Sequence, residues 1–190
     1  MAATFHWAED NGAATGSPAH GTTQSGFNAD THYPTDNNWK NVDDNTANSG
    51  TAYSSSPITA GNNSYTKYQY GHFSGSFNQI SSGLWSPHTA PGGALATGLT
   101  LHGKVTSTYT TPATSTDSGI SSPTDYTTAV AIGSGASVSF STTGPYDASP
   151  TSTLSAAGYS QYLGTQLQTT TSASPGDMAT ITITLQYNEN

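Results

Sequence analysis

The chain has 190 residues, of which three are basic and eleven are acidic, giving a net charge of −8 at pH 7. The basic residues are Lys40, Lys67 and Lys104, and the chain contains no Arg and no Cys. A protein without a stripe of Lys and Arg has nothing to meet a phosphate backbone, so the composition argues against nucleic acid as a partner. The absence of Cys excludes a disulfide framework.

The chain is rich in small polar residues, with 33 Thr and 27 Ser, and Leu, Ile, Val and Phe together occupy only 23 positions. Eleven Tyr and three Trp add large apolar surfaces to this small set. We therefore expect a thin core that gains part of its stability from neighbouring subunits, which predicts a homo-oligomer.

The sequence begins Met-Ala-Ala-Thr-Phe-His-Trp and has no basic stretch followed by an apolar run, so it predicts no secretory signal. No stretch of about 18 apolar residues is present either, which argues against a membrane partner. We expect a protein that is made in the cytoplasm.

Residues 1–56 are predicted to form an extended N-terminal arm, because most of this region is dense in Gly, Asn, Asp, Ser, Thr and Ala and lacks a sustained period. Isolated aromatic residues in a polar segment either dock on another surface or fold back onto the parent domain. The candidate partner contacts in this region are Phe5, Trp7, Phe27, Tyr33, Trp39 and Tyr53.

Residues 57–190 show the alternation that is typical of strands. A long strand is predicted from Tyr65 to Phe77, with a bulge or bend at its glycines. Further strands are predicted at 99–109, 127–132 and 137–141, and a tight turn at Gly133-Ser134-Gly135 joins the last two. No segment has a helical period.

The clearest strand is the last one, because apolar residues from Ala179 to Tyr187 alternate without a break with polar residues, mostly Thr. A turn containing Pro175 and Gly176 precedes it. We expect its partner strand within 159–171. These patterns predict an all-β fold, an antiparallel β-sandwich or jelly-roll-like domain or a barrel, carrying the extended arm.

The residues that carry chemistry do not form a catalytic pattern. A nucleophile elbow has the pattern Gly-x-Ser-x-Gly. The stretch from Gly71 to Gly75 contains two Gly and Ser74, but the Ser is not at the central position that the motif requires. The carboxylate pairs Glu9-Asp10 and Asp43-Asp44 lie in the predicted arm, where we expect them to be solvated. The sequence therefore predicts no enzyme and no cofactor.

Metal and sugar sites are weighed on a few residues each. The six His lack the spacing of a zinc motif, although His72 and His102 could meet across strands. Residues 36–45 are rich in oxygen ligands for calcium but lack the glycine and terminal Glu of an EF-hand loop. We predict no metal. Trp85 is the best candidate for a glycan contact, with packing in the core as the favoured alternative.

Several stretches resemble uncharacterised virion structural proteins encoded among the head and neck genes of tailed bacteriophages. They are residues 57–65, 73–85 and 159–167, and above all the Ser-Pro-Gly-Asp turn at 174–177 with the strand that follows it. The similarity covers most of 57–190, with a weaker echo at 38–44. It implies a β-rich accessory protein present in many copies on the particle.

The resemblance implies a structural protein of a tailed-phage virion, made in the host cytoplasm, and we expect most of all a decoration or cement protein that bridges capsid subunits. An acidic surface without Arg suits the outside of a head better than its DNA-facing interior. The expected partners are the major capsid protein or other virion proteins. Two alternatives stay open, a neck, collar or tail protein of the same virion and a glycan-binding module of a fibre or surface layer.

Overall fold

A computed structural model describes residues 2–10, 12, 14–15, 20–21, 39–43, 56–89, 95–116, 120, 135–174 and 181–190. These residues form twelve strands and no helix, so they also contain no helix that could span a membrane. The strands are β1 (Ala3–Asp10), β2 (Ala14–Thr15), β3 (His20–Gly21), β4 (Lys67–Gly75), β5 (Ile80–Thr89), β6 (Leu99–Thr106), β7 (Ala136–Val138), β8 (Phe140–Ser141), β9 (Thr153–Leu154), β10 (Gly158–Ser160), β11 (Tyr162–Thr169) and β12 (Ile181–Glu189).

The larger sheet is built around β4. Along nearly its whole length β4 pairs with β1 on one side, from Ala3 opposite Gly75 to Asp10 opposite Tyr68. On its other side it pairs with β10 and β11, which are followed by β8 and β6 respectively. All of these pairings are antiparallel, and β4 is therefore a central strand that is covered on both edges.

The smaller sheet has the order β12-β5-β7, and β9 also pairs with β5. Between Gln186 and Asn188 the register shifts, because three steps on β5 face two steps on β12. The extra residue lies on β5, where Ser82 has the left-handed φ of 56° that a bulge of this kind uses. The strand β12 itself continues without a bulge.

The two sheets pack face to face around an apolar core. Members of the larger sheet such as Phe73 and Leu163 contact Trp85 and Leu185 of the smaller one. Gly83 of β5 lies close against the larger sheet, since a Cβ there would lie 2.6 Å from the Phe140 ring. This packing gives the chain a sandwich-like architecture.

A second core lies on the opposite face of the larger sheet. It consists mainly of tyrosine rings, which pack tilted or edge to face at centroid distances of 4.8 to 5.9 Å. Its buried members are Ala8, Tyr68, Tyr70, Tyr109, Ile120 and Tyr162. Both faces of β4 are thus buried. The tyrosine rings of the second core supply apolar area that the few aliphatic residues of the chain do not provide.

The structure confirms the predicted all-β, antiparallel fold and corrects two details of it. The predicted arm does not include Ala3–Asp10, because this segment is a full strand of the larger sheet. The partner of β12 is β5 and not the 159–171 region, whose strand β11 pairs with β4 and β6 instead. The strand predicted at 127–132 and the turns at 133–134 and 175–177 lie outside the described residues.

Candidate functional site

The most unusual feature of the domain is a group of charged side chains buried where β1 ends. Glu9, Asp10 and Lys67 are each no more than 4% exposed, in a chain with only three basic and eleven acidic residues. Charged residues are almost never this buried unless they are paired. We define Glu9, Asp10, Lys67 and the side chains bonded to them as the β1 anchor.

On the face of the larger sheet that looks toward the smaller one, the anchor is an ion pair. Lys67 Nζ lies 2.7 Å from Glu9 Oε1, and Gln69 Nε2 donates a hydrogen bond of 3.2 Å to Glu9 Oε2. Glu9 shares this face with Phe5 and Trp7, because side chains two residues apart on a strand point the same way. Both carboxylate oxygens of Glu9 are thus satisfied inside the protein.

On the opposite face, Asp10 enters the tyrosine core. The hydroxyls of Tyr162 and Tyr70 donate to its two carboxylate oxygens, at 2.5 and 3.3 Å. Burial raises the pKa of Asp10 from 3.8 to about 6, and the two tyrosine hydrogen bonds only partly oppose this rise. Burial and the neighbouring Asp10 charge also raise the pKa of Tyr162 above its usual range.

The chain just beyond β1 is held as well. Gly12 N donates to Asp43 Oδ2 at 2.7 Å, and the Tyr109 hydroxyl donates to the Gly12 carbonyl at the same distance. Burial raises the pKa of Tyr109, and the Asp43 charge adds to that rise. Two loops from distant parts of the sequence therefore fix the end of β1.

This arrangement is suited to holding a strand. The paired side chains are buried, and their bonding groups are turned toward one another inside the domain. The described residues also contain no group of three His, Asp or Glu that could hold a metal ion. The anchor fixes the register of β1, because sliding the strand would move Glu9 away from Lys67 and leave two buried charges unpaired.

The predicted contact residues of the first strand lie within the domain. Phe5 stands opposite Phe73, and its ring centroid is 5.3 Å from that of Phe73 and 5.9 Å from that of Tyr187. The Trp7 ring lies 4.6 Å from the Trp85 ring. Both side chains are half-buried against the chain's own core.

The other predicted site residues are placed differently. Trp39 packs beside Leu101, and its Nε1 donates to Thr165 Oγ1 at 3.1 Å. Trp85 is fully buried. Its burial contradicts a glycan contact at this position, because a sugar cannot stack on a ring inside the core. Phe27, Tyr33 and Tyr53 lie outside the described residues.

Two further expectations are corrected by the sheet register. Glu9 and Asp10 are buried, although the sequence places them in a segment expected to be solvated. His72 stands opposite His6 of β1, with ring centroids 6.4 Å apart, while His102 stands opposite Gln166 on β11. The two histidines considered for a metal therefore belong to strands that β11 separates.

The alternation of Phe5 and Trp7 with Thr4 and His6 is the one local signal that could have revealed β1. It is only a few residues long, and the two carboxylates and the run of Asn, Gly and Ala that come after it hide it.

The chain matches no protein-family model, no curated protein and no solved structure.

The raised pKa of Asp10 predicts a characteristic dependence of stability on pH. A carboxyl whose pKa is higher in the folded than in the unfolded protein adds stability as pH falls through the folded value. A rise from 3.8 to about 6 corresponds to on the order of 3 kcal/mol between neutral pH and pH below 4. About 1 kcal/mol of this is expected between pH 7 and pH 5.

The test compares the wild-type chain with Asp10→Asn in urea unfolding at both pH values. The difference in unfolding free energy between pH 5 and pH 7 should be smaller in the variant by about 1 kcal/mol. Contributions that are common to both proteins cancel in the comparison. Identical pH profiles would show that Asp10 does not titrate in this range.

A second prediction concerns the ion pair. Lys67→Met and Glu9→Leu each leave one buried charge without its partner, so each should lower the unfolding free energy by about 3–5 kcal/mol. The double variant should lose much less than the sum of the two, because an apolar pair needs no compensation. Lys104→Met, which changes an exposed Lys, is the control and should stay within about 0.5 kcal/mol of wild type. Additive losses in the double-mutant cycle would contradict the buried pairing.

Proposed function

We propose that the chain is a structural protein of a tailed-bacteriophage virion, and specifically a decoration or cement protein that bridges neighbouring capsid subunits. The resemblance of residues 57–65, 73–85 and 159–167, and of the turn at 174–177 with the strand that follows it, to head and neck proteins is the basis for the virion assignment. The proposal assigns no catalytic activity, cofactor, metal, nucleic acid or membrane to the chain.

The main support for a structural role is that the charged side chains of the β1 anchor are buried and paired inside the domain. Most enzymes expose titratable groups at a cleft, where they act on a substrate. Here Glu9, Asp10 and Lys67 bond within the domain and hold the first strand in its register. Several of the few charged residues of this chain therefore stabilise its fold. A domain of this kind, otherwise rich in Thr and Ser, is suited to a structural role.

The surface formed by the described residues is polar and therefore favours polar contacts with a partner. Among these residues Val42 is the only large hydrophobic one that is exposed. A groove of about 440 Å³ is lined mostly by uncharged polar residues, together with Pro57 and Ile58, and none of its lining residues is aromatic; its walls are Asn41, Pro57, Ile58, Thr59, Gly61, Asn62, Asn63, Thr114, Ser115 and Thr116. Because Trp85 is buried, the residue on which the glycan-binding alternative was based does not support it.

The copy number and location of this chain on the particle distinguish a decoration protein from a neck, collar or tail protein. Quantitative mass spectrometry of purified virions should find this chain at a copy number comparable to that of the major capsid protein. Electron cryo-microscopy should place its density on the outer surface of the head. A few copies confined to one vertex would favour the neck, collar or tail, and absence from washed particles would overturn the virion assignment.

A further inference from the structure

The edges of the two sheets differ in how well they are protected. An open edge carries unpaired N–H and C=O groups that can pair with another chain. Natural proteins guard such edges with very short strands, Lys, Pro, bulges or charges that point inward. In this domain the edge strands are β1, β6 and β8 in the larger sheet and β7, β9 and β12 in the smaller one, counting the described residues.

Every edge except β12 carries one of these devices. The strands β7, β8 and β9 are only two or three residues long. The strand β6 presents the exposed Lys104. The strand β1 points Glu9 and Asp10 into the domain, where both are buried.

The strand β12 is the exception. It has nine residues, contains no Lys, Pro or Gly, and carries a single charge, that of Glu189 at its end. Glu189 Oε1 accepts a hydrogen bond of 2.6 Å from Ala3 N, so this charge is turned toward β1. The bulge near Gln186 lies on β5, which leaves the outer edge of β12 regular. Within the described part of the chain β12 pairs with β5 alone.

Two apolar side chains of β12 are incompletely covered, which indicates room for a further strand beside β12. Ile183 and Tyr187 pack against the main core, yet both are only half-buried there. A strand added alongside β12 would cover more of their apolar surface, which is favourable in proportion to the area removed from water.

A second copy of β12 fits this edge. In an antiparallel pair centred on Thr184, Thr184 faces its own copy and Ile183 faces Leu185, so apolar residues meet on the core side and hydroxyls on the outer side. Two copies of a chain with net charge −8 repel one another. The uncharged run from position 181 to 188 is therefore a place where they can approach closely.

We propose that β12 pairs antiparallel with β12 of a second copy, with Thr184 opposite Thr184, and so joins the two smaller sheets into one. The pairing uses backbone hydrogen bonds along the edge, and its two-fold symmetry closes the assembly at a dimer. It is independent of the virion assignment, because it concerns the purified chain alone.

Engineered cysteines test the register directly, since the natural chain has none. Residues directly opposite in an antiparallel pair have Cα atoms about 4.5–5.5 Å apart, within the range of about 4.4–6.8 Å that a disulfide needs. Thr184→Cys should therefore form a covalent dimer under mild oxidation. Gln186→Cys on the same strand should not, because its two copies lie about 14 Å apart. Lys104→Cys on the edge of β6 is the second control.

Light scattering after size exclusion gives the independent readout. The wild-type chain should have the mass of a dimer, and Thr184→Lys should be monomeric with an unchanged circular dichroism spectrum, because it brings two cations together at the two-fold axis. A monomeric wild type would overturn the proposal. So would a dimer in which Thr184→Cys and Lys104→Cys cross-link equally well, or one that Thr184→Lys leaves intact. Larger open-ended assemblies would also contradict a two-fold pairing.

Discussion

The buried ion pair between Lys67 and Glu9 is the constraint on which the position of the first strand depends. Moving two charges out of water costs several kcal/mol for each ion, and only close mutual contact with extra hydrogen bonds offsets that cost. The 2.7 Å contact and the bond from Gln69 meet this requirement in one register of β1. Any other register leaves a bare charge inside the sheet. The pair therefore contributes specificity of pairing more than net stability.

Fixing β1 determines much of what surrounds it. In this register Phe5 lies over Phe73 and Trp7 over Trp85, so the strand completes the core between the two sheets. On the other face Asp10 organises the tyrosine core, whose hydroxyls need an acceptor once their rings are buried. A chain with few aliphatic residues thus builds its second core from aromatic rings and one carboxylate.

The sequence predicts the class of this fold well because a period of two residues is a local property. It makes the all-β architecture and the last strand visible. The pairing of β12 with β5 was not predictable, because it joins strands that are distant in sequence and several alternating segments could supply the partner. The same reason hides the anchor: Glu9 and Lys67 are 58 positions apart, and a carboxylate beside glycines and asparagines reads as solvated until its partner is known. For Trp85 the sequence favours packing in the core over a glycan contact, and its complete burial between the two sheets confirms this.

The β1 anchor holds β1 as an integral strand of the larger sheet. Native-state hydrogen exchange on the full chain can test this, because it measures how often each strand opens. The amides of β1 that bond to β4 should exchange only by global unfolding, with the same free energy of opening as those that join β4 to β11. In Lys67→Met they should exchange through a separate, cheaper opening. Free exchange of β1 in the wild-type chain, while β4 and β11 stay protected, would contradict the account.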